Sequence, residues 1–123
     1  MWPTLVLFMV CTALLLAALA WPLARGAVGP NRWYGVRLPQ TLADPDLWYP
    51  VNRFFGRRMV FISLQVAAAS LVLALVPGID MVLYVLLLTG MLTLGALIAA
   101  VQAMLLARRL AREKQAEQNA TGK

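Results

Sequence analysis

Residues 82–107 read VLYVLLLTGMLTLGALIAAVQAMLLA, 26 consecutive positions without an Asp, Glu, Lys or Arg. At about 1.5 Å per residue, such a run exceeds the roughly 30 Å of a bilayer's hydrocarbon core, so it predicts a membrane-spanning helix that tilts or emerges from the lipid. Working outward, two further uncharged runs of spanning length appear. One covers residues 59–76 and ends at Pro77-Gly78-Ile79-Asp80, a turn that reverses the chain. The other covers residues 5–23 and is interrupted only by Thr12 and Pro22. The expected fold is therefore an all-α membrane protein with three transmembrane helices in a single domain over residues 1–123. A motif loop (24–58) and a polar tail (108–123) complete it.

Composition agrees with this reading. Hydrophobic residues make up 62% of the 123 positions and charged residues 13%, outside the range of soluble globules and of disordered chains. The charges divide by side. Arg25, Arg32, Arg37, Arg53, Arg57 and Arg58 lie between the first two spans, and Arg108, Arg109, Arg112, Lys114 and Lys123 follow the third. Neither the N-terminal segment nor the turn at 77–80 carries a basic residue. The positive-inside rule then predicts the N-terminus outside and the C-terminus in the cytoplasm. Ala18-Leu19-Ala20 resembles a signal-peptide cleavage site, but no basic residue precedes the run, which favours an uncleaved span. The net charge of +6 is accounted for by topology, so nucleic-acid binding is not expected.

Chemistry of the common catalytic kinds has little to work with. The sequence has no His and a single Cys, Cys11, inside an apolar run. It offers no acid within a span, and no Ser or Cys beside a base, so no nucleophile or general base can be nominated. No enzyme activity, metal or cofactor is expected.

Within the spans the strongest polar signals are Gln65 and Gln102. Gln65 lies about 10 Å of helix from Arg58 and Gln102 about 9 Å from Arg108, so antiparallel second and third spans bring them to one depth in the inner leaflet. A hydrogen bond that joins the helices is one role, a ligand vestibule open to the cytoplasm the other. Gly95, Ala99 and Ala103 place a small residue at every fourth position, which predicts tight packing against the second span or a homodimer or higher homo-oligomer. Met59, Met81, Met91 and Met104 read as adaptable packing residues. Trp2 and Tyr84 are expected at the outer interface, with Trp21, Trp33 and Trp48 at the inner one.

The loop is long for so small a protein, and long loops are commonly functional. Gly26, Gly29 and Pro30 end the first helix. Asn31 is suited to closing a turn with its side chain, and Gly35 to a backbone angle that other residues avoid. Asp44, Pro45 and Asp46 predict the start of a short helix whose Trp48, Val51 and Phe55 form an apolar face for the membrane surface or the bundle, kinked at Pro50. Arg37 presents a donor fork that pairs with Asp44 or Asp46, with backbone carbonyls, or with a partner's carboxylate or phosphate. Trp48 is an interfacial anchor or the lid of a pocket under the loop. Arg57 and Arg58, like Arg108 and Arg109, face anionic lipid headgroups. The tail reads as the solvated end of the third helix, with Arg109 and Glu113 at pairing distance.

Taken in order, Asn31-x-x-x-Gly35-x-Arg37-x-Pro39-x-Thr41-Leu42, then Trp48, Asn52-Arg53 and Gly56, resembles the signature of the SdpI family of small bacterial membrane proteins. Leu38 stands where that family often has Thr, and longer members have roughly twice as many spans. The resemblance implies a protein of the bacterial cytoplasmic (inner) membrane that gives immunity to a toxic peptide or signals by holding a regulatory protein. It also marks Asn31, Gly35, Arg37, Pro39, Thr41, Trp48, Asn52 and Arg53 as motif or partner-binding positions. A small accessory or assembly subunit, in which the loop is only a clasp, and an oligomeric transporter or channel are the alternatives.

Overall fold

The computed structural model describes residues 2–122 and contains four helices: α1 (Pro3–Ala24), α2 (Pro39–Ala43), α3 (Pro45–Ala74) and α4 (Met81–Thr121). Three of them, α1, α3 and α4, are long and apolar enough to cross a membrane, which makes this an all-helical, multi-pass membrane protein.

Each helix begins on recognisable chemistry. Pro3, Pro39 and Pro45 occupy first helical positions, where their missing N–H has no intrahelical partner to lose. Asp44 caps α3 by accepting the amide of Asp46 at 3.0 Å, and Asp80 caps α4 by accepting that of Leu83 at 3.0 Å. Past α1 the chain turns at Gly26, whose φ of +70° suits glycine.

The short loop helix expected at Asp44 is instead the first half of a 30-residue helix that continues into the second span. Pro50 does not end it. At Pro50 only the carbonyl of Asp46 loses its donor, and Asp46 is exposed, so water can satisfy it. The segment that forms a separate short helix is α2, five residues from Pro39. Helix α4, the third span, continues through nearly all of the tail. Its 41 residues extend about 60 Å, roughly twice the hydrocarbon thickness.

Helix α3 lies at the centre, with α1 and α4 packed on it. Where α1 crosses it, Gly56 is indispensable: a Cβ there would lie 2.8 Å from both the carbonyl carbon and the Cβ of Leu23, and closer still to the Ala24 nitrogen. Gly56, Ser63 and Ser70 recur every seven residues along α3 and all are buried. Small residues at this spacing allow backbones to approach where lipid gives no hydrophobic drive to helix association. On the other side Ile62 seats over Gly95, where an added Cβ would meet its Cγ2 at 2.9 Å. Ala99, Ala103 and Ala107 continue that buried stripe of α4. Away from the loop, Ala13, Val66, Ala67, Tyr84 and Leu88 form one core, and Trp2 stacks obliquely on Tyr84 at 5.6 Å. Tyr84 is fully buried rather than interfacial, its hydroxyl 2.5 Å from Ser70 Oγ. The second core, Val51 with Ala103 and Ala107, lies at the loop end and is flanked by Val36, Leu38 and Phe55.

Candidate functional site

The loop, α2 and the first turns of α3 form a lobe against the C-terminal half of α4. Its fixed point is Trp48. The ring is completely buried and its Nε1 donates to the Val28 carbonyl at 2.7 Å, tying the start of the loop to α3. Trp48 is thus a wedge in the lobe's interior, neither an interfacial anchor nor the lid of a pocket. An apolar ring with one donor suits a place where a single orphan carbonyl must be satisfied away from water.

One turn later, Asn52 is equally buried and clamps the middle of the loop. Its Oδ1 accepts the Val36 amide at 2.6 Å and its Nδ2 donates to the Trp48 carbonyl at 3.0 Å. Gly35 makes this approach possible. Its φ is +112°, and a Cβ there would lie 2.6 Å from Asn52 Oδ1. Thr41, at 0% exposure, closes the other side: its hydroxyl accepts the Leu38 amide at 2.9 Å and donates to the Val36 carbonyl at 2.8 Å. Pro39 opens α2 so that Thr41 falls three residues after the cap, where that reach is natural. The backbone from Val36 to Leu38 is thereby held between α2 and α3.

Asn31 shapes the remaining turn as expected. Its Oδ1 accepts the amides of Trp33 and Tyr34 at 2.8 and 2.7 Å, and its Nδ2 donates to the Gly29 carbonyl at 2.8 Å. Arg37 pairs with neither Asp44 nor Asp46; its guanidinium donates to the Arg32 carbonyl, and the residue is exposed. The Arg53 guanidinium lies against Gly26, Nη2 being 2.8 Å from where a Cβ would stand. Tyr34 places its hydroxyl in the lobe without a hydrogen-bond partner among the described residues, and burial raises its pKa.

Sequence reasoning did not foresee the partner that the two aspartates take. Lys114, on the extension of α4, donates to Asp44 and, at 3.0 Å, to Asp46. The hydrogen bond from Lys114, aided by the Asp46 amide, lowers the Asp44 pKa, and the two carboxylates raise that of Lys114. Leu47 beside them is buried and Leu110 packs near Val51, so this part of the tail is a docked arm rather than a solvated end. The only advance signal was the scarcity of acids: Asp44 and Asp46 are two of five. Arg109 does pair with Glu113, at 3.0 Å and on the exposed surface.

The structure thus brings together all eight motif residues, from Asn31 to Arg53, and separates them from the glutamines. Gln65 and Gln102 line a different crevice, between α3 and α4, with Arg58 at its edge. No hydrogen bond joins the two amides, so they do not act as helix glue within one chain. Arg57 and Arg108 are exposed at this same end of the bundle.

What the lobe presents outward is a short basic and aromatic rim. Arg32, Trp33 and Arg37 are exposed, Trp33 to 88%, and the buried motif side chains behind them hold the backbone that carries them. A rigid platform of this kind can offer guanidinium forks to carboxylates or phosphates and an indole face to an apolar group.

The sequence model of the SdpI/YfhL protein family matches residues 27–107, which takes in the motif loop from Ala27, α2, α3 and α4 as far as Ala107, but not α1. No curated protein and no solved structure matches the chain.

Proposed function

This chain belongs to the SdpI/YfhL protein family, and from that premise we propose that it is a non-enzymatic protein of the bacterial cytoplasmic membrane whose loop lobe recognises a peptide or protein partner. Immunity to a toxic peptide, or signalling through a retained regulatory protein, is the role this serves. The lobe faces the cytoplasm in this reading, because Lys114 ties the tail to the loop and the two basic segments therefore share one end of the bundle.

The observation that supports recognition is the division of labour within the motif. Asn31, Thr41, Trp48 and Asn52 commit their polar groups to loop backbone, while Arg32, Trp33 and Arg37 stay outside on a backbone already fixed in shape. Preorganisation of that sort lowers the ordering cost of binding. The same inward commitment favours a second reading, in which the lobe is a clasp in an accessory subunit.

Native mass spectrometry of protein released in mild detergent separates the two, comparing wild type with Trp33→Ala at matched expression and helical content. Recognition predicts a peptide or protein carried by wild type and absent from the variant. Identical bare species from both would favour the clasp.

A further inference from the structure

The crevice between α3 and α4 at the lobe end of the membrane spans is a second candidate site, independent of the lobe. It encloses about 190 Å³, and its lining includes Arg58, Phe61, Ile62, Gln65, Ile98 and Gln102. Three observations bear on what fills it. First, neither glutamine amide has a hydrogen-bond partner among the described residues, although both sit within spans that cross the hydrocarbon. An amide left unpaired there is costly, so each requires a partner from outside the chain. Second, Arg58 is fixed at the edge, its guanidinium 5.3 Å over the Phe54 ring. No carboxylate of a described residue lies within 4 Å of it. Third, Gln65 follows Arg58 by seven residues, about 10 Å deeper along the helix.

From these we infer that the crevice binds one anionic glycerophospholipid, its phosphate on Arg58 and its ester carbonyls accepting hydrogen bonds from Gln65 and Gln102. The chemistry matches the order of depth. A phospholipid has an anionic phosphate outermost, ester carbonyls next and acyl chains below, and the crevice has a guanidinium, two amides and then the exposed flank of Ile98, one turn deeper along α4 than Gln102. Guanidinium groups are suited to phosphate oxygens. A second copy of the chain is the less favourable occupant. Two-fold apposition of the crevice would bring two Arg58 side chains together without an acid between them.

The test uses wild-type protein in mild detergent, with lipid retention read by native mass spectrometry. Phosphatidylglycerol should outcompete phosphatidylcholine by about fivefold, the value of one interfacial charge contact. Ether-linked phosphatidylglycerol, which lacks the carbonyls, should bind more weakly than the ester form by about threefold for each amide. Gln65→Leu/Gln102→Leu should abolish the distinction between ester and ether, and Arg58→Gln the preference for the anionic headgroup, while Arg112→Gln, at an exposed position outside the crevice, leaves both intact. Equal retention of the two headgroups by wild type would overturn the proposal without reference to any variant. So would equal retention of ester and ether forms, or displacement of the lipid by inorganic phosphate. Loss of a dimer rather than of lipid in the glutamine variant would assign the crevice to a contact between copies.

Discussion

At the scale of single residues, the lobe is a set of exchanges between side chains of α3 and backbone of the loop, and each can be broken by itself. Trp48→Phe keeps the buried ring but leaves the Val28 carbonyl unpaired, and should cost about 1–3 kcal/mol, read as an earlier midpoint in denaturant titration of the detergent-solubilised protein. Asn52→Leu should cost a similar amount, because it strands the Val36 amide, while the Trp48 carbonyl keeps its partner within α3. Gly35→Ala attacks the same place from the loop side: it meets Asn52 Oδ1 at 2.6 Å and forces a residue with a Cβ into positive φ. If Asn52→Leu and Gly35→Ala act through one contact, their effects will be less than additive in a double-mutant cycle. Full additivity would mean that the contact does not couple them.

At the scale of elements, the decisive junctions are the crossing of α1 on α3 and the docking of α4's extension on the lobe. Gly56→Leu cannot be accommodated without separating α1 from α3, since its side chain would start among the backbone atoms of Leu23 and Ala24. Loss of folded, monodisperse protein is expected, whereas Gly90→Leu, at a position with open space around it, should be tolerated. The α4 arm is held differently, by charge. Asp44 has its pKa lowered by Lys114, so its stabilising contribution exists above the ordinary carboxylate range and is lost as pH falls through the depressed value. Lys114 has its pKa raised, so its contribution exists below the ordinary lysine range and is lost as pH rises through the elevated value. The arm should therefore stay docked throughout the range between the ordinary carboxylate and ordinary lysine values, about pH 4 to pH 10, and release only further out, where pH falls through the depressed Asp44 value or rises through the elevated Lys114 value. Spin labels at Gln40→Cys and Gln115→Cys, in a Cys11→Ser background, would report a short distance throughout that window. Lys114→Ala should give the released distribution at neutral pH; an unchanged distance would show that Leu110 and its apolar neighbours hold the arm without the ion pair.

At the scale of the whole molecule, the charged ends and the uncharged middle define how the bundle sits in lipid. Trp33 and Ala120 lie at the lobe end and Val76 at the other, which gives a direct test of topology. In a Cys11→Ser background, Val76→Cys should react with a membrane-impermeant maleimide on intact cells. Trp33→Cys and Ala120→Cys should react only after permeabilisation. The reverse pattern would place the lobe outside and make its rim a surface for extracellular partners. Either result leaves the architecture unchanged, since α3 at the centre and α1 and α4 against it follow from packing and not from orientation.

Sequence by itself determined the three spans, because a charge-free apolar run long enough to cross lipid has few other folds open to it. It also determined the caps at Asp44 and Asp80 and the turn at Asn31, because each depends only on neighbours a few residues away. Tertiary structure alone decided what depends on residues far apart in the chain. Trp48 and Tyr84 are as amphipathic as any interfacial anchor, and only the packing of distant elements buries them. The loop residues from Asp44 predict a short helix separate from the second span, yet the backbone stays helical from Pro45 to Ala74. Lys114 and the two aspartates, some seventy positions apart in the sequence, meet only because the fourth helix outruns the membrane and returns to the lobe. Local chemistry is written in adjacent residues; these pairings are set by where whole helices come to rest.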